Sequence, residues 1–291
     1  MKYFKMNRRI SILFFFASLL PLQPILAQDN WDTQGYKNGT LIVIGGGKVG
    51  DEIMNEFYNL AGGTEAKLIV IPTANVSNNQ IDTLSLKAIF EKNGFTEITI
   101  LHSNDTAQAN KEDFIQPIKE ATAIYFMGGR QWRIVDGFLN TKAHDEMFRL
   151  LDRGGVIAGS SAGATIQGSY LARGDSKNNQ IMMGDHEVGL GFISNIAIDQ
   201  HVLVRNRQFD LFTILENKPE LLGVGIDEST AIVVKGELFE VIGKSYVLVY
   251  DTSFWSREGA ELKKLPKKEA MFYFLRSGDQ YNLKARKVIA K

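Results

Sequence analysis

Residues 155–172, GVIAGSSAGATIQGSYLA, decide the fold. An apolar run, VIA, enters a turn built almost wholly from glycine, alanine and serine, and ATIQGSYLA beyond it is compatible with helix. Between them Gly159-Ser160-Ser161-Ala162-Gly163 fits G-x-S-x-G. A strand that reverses sharply into a helix holds its central serine strained, with the hydroxyl exposed, and the crowded turn tolerates only small neighbours. That serine is Ser161; Ser160 occupies the wrong place in the turn. The start of a following helix would also favour a developing negative charge. The pattern predicts a serine nucleophile at the C-terminal end of a buried strand.

Working outward, the runs LIVIGGG (41–47), KLIVIPTA (67–74), ITILH (98–102) and AIYFMGG (123–129) are apolar throughout. Helix-length segments lie at 51–61, 80–93, 111–120 and 142–153. The first of these spaces Ile53, Phe57 and Leu60 on one face, and the second spaces Ile81, Leu84, Ala88 and Ile89. Strands without polar alternation belong to a parallel sheet covered on both faces. Strand–helix–strand succession implies right-handed crossovers and an α/β sandwich of three layers. After residue 220 the texture changes. VGIDE (224–228), TAIVV (230–234), LFEVIG (238–243) and SYVLVY (245–250) predict antiparallel hairpins closing one edge of the sheet, with a last hairpin around Ser277-Gly278-Asp279.

The chain has 291 residues, 44% hydrophobic and 23% charged, the proportions of a globular protein. Its first 27 residues differ: Lys2, Lys5, Arg8 and Arg9 precede the apolar run ISILFFFASLL, and Ala27 ends the segment. This layout predicts a secretory signal cleaved after Ala27, and therefore a periplasmic or extracellular protein. The run is short for a permanent membrane span. Residues 28–291 are expected to form a single domain carrying 29 basic and 33 acidic residues, a formal charge of −4. A mildly acidic chain is poorly suited to sequence-independent nucleic-acid binding. Without cysteine there are no disulfides, thiolate metal sites or cysteine nucleophiles.

A serine nucleophile needs a base. Of four histidines, His102 ends the third strand, His144 lies among charges on what reads as a solvated helix face, and His186 sits in a polar loop. His201 follows the apolar run Ile196-Ala197-Ile198, whose end should reach the same sheet edge as Ser161, where α/β sheets bind ligands. It is the favoured base. Asp227, Glu228 and Asp199 all compete to orient it. Neighbouring strand residues point to opposite faces, so only one of Asp227 and Glu228 can serve. Backbone N–H groups of the Gly128-Gly129 turn, with that of Ala162, could form an oxyanion hole. Gly45, Gly47 and Gly50 match G-x-G-x-x-G, but the second strand ends without the acid that a dinucleotide site needs. Arg205 and Arg207 could bind a carboxylate or form a solvated cluster with Asp210.

IGGGKVGDEI, YFMGGRQ, GGVIAGSSAGA, IDQH with its following RNR, and GIDESTAIV occur here in the order found in cyanophycinases and related aspartyl dipeptidases. The chain resembles that serine peptidase family from about Leu41 to Val249. The resemblance implies a flavodoxin-like fold similar to class I glutamine amidotransferases. It implies Ser161 as nucleophile, His201 as base, Glu228 as orienting acid, and Gly129 and Ala162 as oxyanion donors. It further implies that Gln131, Asp199, Gln200, Arg205 and Arg207 line the pocket for a peptide or polypeptide substrate, β-aspartyl–arginine dipeptides in cyanophycin-degrading members. No metal or organic cofactor is implied, and relatives suggest a homodimer. Two positions depart from the pattern: Arg130 stands where an acid or amide is usual, and Phe209-Asp210 where a further base is expected. An esterase would instead place its acid between the serine and the histidine, at Asp175, Asp185 or Asp199. A non-catalytic binding protein would leave Ser161 unreactive.

Overall fold

The computed structural model describes residues 32–76, 80–250 and 273–289. The leader expected to be a signal and most of the last forty residues lie outside them. Each apolar run of the first half becomes a short strand: β1 (Thr40–Ile44), β2 (Lys67–Ile71), β3 (Glu97–Ile100), β4 (Ala123–Phe126) and β5 (Val156–Ser160). They pair in parallel in the order β3-β2-β4-β5-β1. Leu41 and Val43 enter one apolar core, and Ile42 and Ile44 enter another on the opposite face. With both faces covered, selection for apolar side chains acts at every position, and so the run shows no alternation.

One face is covered by α1 (Asp51–Leu60) and α2 (Thr83–Glu91). The other is covered by α4 (Glu112–Glu120), α5 (Gln131–Phe138) and α6 (Lys142–Asp152), preceded by the single-turn α3 (Thr106–Ala109). The sequence did not announce α5. It is eight residues long and has no side-chain cap, yet buries Ile134, Val135 and Phe138. The face expected for α2 is corrected: Leu84 is 80% exposed and Ile89 47%. Phe90 turns inward instead, against Phe95 and Tyr125. A helix this short commits one face, and the larger aromatic gains more by burial than its aliphatic neighbours.

The second half departs from a single antiparallel edge. Strands β9 (Thr230–Lys235), β10 (Leu238–Gly243), β13 (Gln280–Asn282) and β14 (Lys287–Ile289) extend the first sheet antiparallel from β1, giving nine strands. Strands β6 (Gly168–Tyr170), β7 (Ile193–Gln200), β8 (Leu222–Ile226), β11 (Val247–Tyr250) and β12 (Tyr273–Leu275) form a second sheet, parallel from β6 to β8. Its inner residues Ile196, Ile198, Val224 and Ile226 join the core of Leu41 and Val43. Its outer face is covered by α8 (Leu211–Asn217). The turn at Ser277-Gly278-Asp279 joins strands of different sheets, and the last hairpin is β13–β14. Beyond Ser161 the helix α7 (Ala162–Thr165) makes one turn before the chain becomes β6.

Candidate active site

Strands β1, β4 and β5 end side by side, and the site stands on those ends. Ser161 follows β5 with φ 56° and ψ −110°, in a region that serine seldom enters. Its N–H donates to the Ile44 carbonyl at 2.9 Å, and its own carbonyl accepts from Ala164 N–H, so both neighbours hold the bend. A side chain at Gly159 would stand 2.1 Å from the Gly163 carbonyl oxygen, which accounts for the flanking glycine. Since α7 is four residues long, it offers local N–H groups at this turn and not a long helix dipole.

His201 follows the last residue of β7 and so approaches Ser161 from the second sheet, not from the sheet edge inferred from sequence. Its N–H donates to the Gly45 carbonyl at 3.0 Å. Nε2 lies 2.9 Å from Ser161 Oγ, and Nδ1 lies 2.5 Å from Glu228 Oε1. Asp227 turns away. Its Oδ1 accepts from the N–H groups of Leu203 and Val204, and its Oδ2 accepts from the Ser245 hydroxyl at 2.7 Å. Burial pushes the His201 imidazole below its ordinary value; the Glu228 hydrogen bond opposes this, and the Arg205 and Arg207 charges reinforce it. A neutral imidazole at neutral pH has a lone pair available toward Ser161.

The glycine run after β1 is the floor under this pair. A Cβ on Gly46 would stand 2.2 Å from His201 Cε1, and one on Gly47 2.5 Å from Glu228 Oε2. That contact gives the G-x-G stretch a packing role with no nucleotide. Gly129 has φ 141°, and a Cβ there would stand 2.3 Å from the Ala74 carbonyl oxygen. Gly128 lies against Ser161, where an added Cβ would be 3.8 Å from Oγ. Among the described residues, the N–H groups of Gly129 and Ala162 donate to no backbone acceptor.

The residues expected to line a substrate pocket are mostly engaged internally. Asp199 is fully buried and binds Arg173 through both carboxylate oxygens, Nε–Oδ1 at 2.8 Å and Nη2–Oδ2 at 2.9 Å. Arg173 Nη2 also reaches Asp210 at 2.5 Å, so Asp210 pairs with Arg173 and not with Arg205 or Arg207. Gln131, 2% exposed, donates its amide to the Ala172 and Arg173 carbonyls. Gln200 accepts from buried Arg207 at 3.1 Å. Of the five, Arg205 is exposed. Arg173 belongs to no recognised motif, and its one signal is a lone cation after Leu171-Ala172, beyond the end of β6. Arg130 points its guanidinium at the Asp175 carbonyl. The expected solvated setting of His144 is corrected: it is buried, with Nε2 2.8 Å from the Leu190 carbonyl oxygen.

An open cleft of about 410 Å³ runs from Ser161 and Gly128 between α1 and α2. No group of three or more metal-binding side chains occurs among the described residues. Nor is any helix among them long and apolar enough to cross a membrane.

Comparison with known proteins accords with this architecture. Residues 41–242 match the model of Peptidase family S51. A cyanophycinase from Geminocystis herdmanii is 33% identical over 268 residues, covering 88% of this chain and 97% of its own. A cyanophycinase from Synechococcus elongatus is 29% identical over 282 residues, covering 93% and 86%. The crystal structure of a peptidase from an acI-B1 Actinobacterium superposes with a TM-score of 0.63 at 24% identity, over 86% of this chain and 98% of that one. The protein belongs to peptidase family S51 and is a serine-type peptidase.

Proposed function

We propose that the protein is an exported, cyanophycinase-like peptidase that cleaves aspartyl peptides through a Ser161–His201–Glu228 triad and an acyl-enzyme. The observation that carries this reading is the continuous hydrogen-bonded line from Ser161 Oγ through His201, with spacings of 2.9 and 2.5 Å, to Glu228. Ser161 Oγ attacks the peptide carbonyl carbon as His201 Nε2 takes the hydroxyl proton. The C–N bond breaks, and the imidazolium returns that proton to the leaving amine. Water then repeats the cycle on the ester and frees the acid. Glu228 holds the imidazole in the tautomer with its proton on Nδ1. The Gly129 and Ala162 N–H groups receive the negative charge of the tetrahedral oxygen, and losing one such donor costs on the order of a hundredfold or more.

The acid lies after the histidine in the chain, which disfavours the esterase order, and Asp199 is already committed to Arg173. The Arg205 and Arg207 charges, felt at His201, create a positive field suited to a substrate carboxylate. Named relatives are cyanophycinases, so β-aspartyl–arginine peptides lead the panel of aspartyl substrates. The leader of basic and apolar residues supports export, with one peptidase domain following it.

The test is hydrolysis of cyanophycin, β-aspartyl–arginine dipeptides, α-aspartyl dipeptides and a simple ester by the protein and by Ser161→Ala. Peptide cleavage that vanishes in Ser161→Ala is expected. No peptide turnover, with a Ser161 inert to fluorophosphonate, overturns the triad. Ester turnover alone, retained in Glu228→Gln, favours the esterase.

A further inference from the structure

We propose that the cleft between α1 and α2 is an apolar specificity subsite, so that one of the two residues flanking the scissile bond carries a leucine- or phenylalanine-like side chain. The inference rests on the proposed role of Ser161. The cleft opens directly on Ser161, and its wall is made by Val49, Met54, Ile89, Phe90 and Met127. Its volume, about 410 Å³, lies in the range of small-ligand pockets. The outward face of α2 now acquires a reason: Ile89, 47% exposed and idle as a core residue, forms part of the cleft wall.

Charge points the same way. Asp199, on β7, and Asp210, ahead of α8, are both taken by Arg173. Asp227 is consumed by Leu203, Val204 and Ser245. Among the described residues the cleft presents one carboxylate, the exposed Asp51 at the first turn of α1, and its other polar side chains are Asn93, Tyr125, Ser160 and Ser161 itself. The Tyr125 hydroxyl is bonded to Ser160. An exposed carboxylate favours a substrate cation by no more than about fivefold. Filling an apolar cleft with a large side chain is worth roughly 10- to 200-fold in kcat/KM. The apolar term therefore sets the preference on this side, and it ranks aspartyl peptides whose flanking residue is apolar above the β-aspartyl–arginine members of the same panel.

The experiment measures kcat/KM of the full chain on peptides that differ at one flanking position, with Leu, Phe, Ala, Arg or Glu placed on either side of the bond. On one side Leu and Phe should exceed Arg and Glu by at least about tenfold. Ile89→Asp, at a half-exposed position of α2, should stay folded by circular dichroism, cut the Leu and Phe rates about tenfold and bring Arg above them. Binding of the same peptides to Ser161→Ala, followed by calorimetry, should give the same order without chemistry. A flat panel, or Arg preferred on both sides, overturns the inference while Ser161-dependent turnover keeps the triad. If no peptide turns over and Ser161 is unreactive, the triad falls. The binding order then decides alone, and equal affinity for Leu and Arg peptides overturns the subsite.

Discussion

Gly46→Ala isolates the contact on which the proposed catalytic geometry rests. A Cβ at position 46 would lie 2.2 Å from His201 Cε1, 2.6 Å from Nε2 and 2.9 Å from Nδ1. Carbon atoms rest at about 3.5–4.0 Å, so the ring has to retreat by roughly 1 Å or more. The Ser161–His201 hydrogen bond, now 2.9 Å, would then pass beyond hydrogen-bonding reach. A displacement of about 1 Å costs on the order of a hundredfold, and complete loss of a general base about 10²–10⁴. Gly46 also has φ 108°, which alanine enters at a cost of about 1–3 kcal/mol. The expected variant is folded, moderately destabilised in urea, and about 10²–10⁴ lower in kcat/KM. Gly50→Ala is the control, because a Cβ there meets nothing within 4 Å and φ is −75°. It replaces one helix N-cap by a poorer one, costs about 1 kcal/mol or less, and should keep its activity. A folded Gly46→Ala within tenfold of the parent refutes the packing argument. So does a Gly50→Ala damaged to the same degree, which would point to a role for the whole glycine motif.

Glu228→Gln keeps the shape but loses the charge that holds the imidazole; steady-state assay should show kcat down by about 10³–10⁴. Arg173→Ala strands the fully buried Asp199 carboxylate and should cost about 3–5 kcal/mol by urea denaturation, with part recovered in Arg173→Ala/Asp199→Asn. The pH profile follows from His201. Its depressed value places the acid limb of kcat/KM below pH 6.5, since the base works only when neutral. Arg205→Gln removes a cation that disfavours imidazolium, so the limb should move to higher pH, and added salt should shrink the difference between the two proteins.

Much of the site was legible because its parts are local. The elbow at Ser161 needs small neighbours within four residues, and that crowding is written in the sequence as Gly159 and Gly163. His201 stood out as the histidine at the end of an apolar strand. Its route to Ser161, from a second sheet, was not legible. The strands between 222 and 250 are mostly apolar, with Lys235 and Glu240 the charged exceptions, and which of them extend β1 and which join the second sheet is set by pairing with strands distant in the chain. Likewise nothing in VGIDE tells Asp227 from Glu228. One finds two N–H groups of the 203–204 turn and the other an imidazole, and both partners lie more than twenty residues away.

By itself the sequence determined the alternation of β1 to β5 with helices other than α5, the strained turn and the nucleophile candidate. Steric limits and hydrophobic periodicity act between near neighbours, and those are present in any short window of chain. Only the tertiary structure decided which carboxylate meets His201, how the strands divide between two sheets, that Arg173 fills Asp199, and that α2 turns Ile89 toward the cleft. Each of these is a competition for a partner or a core position among residues distant in the chain, and its outcome depends on packing that no local pattern encodes.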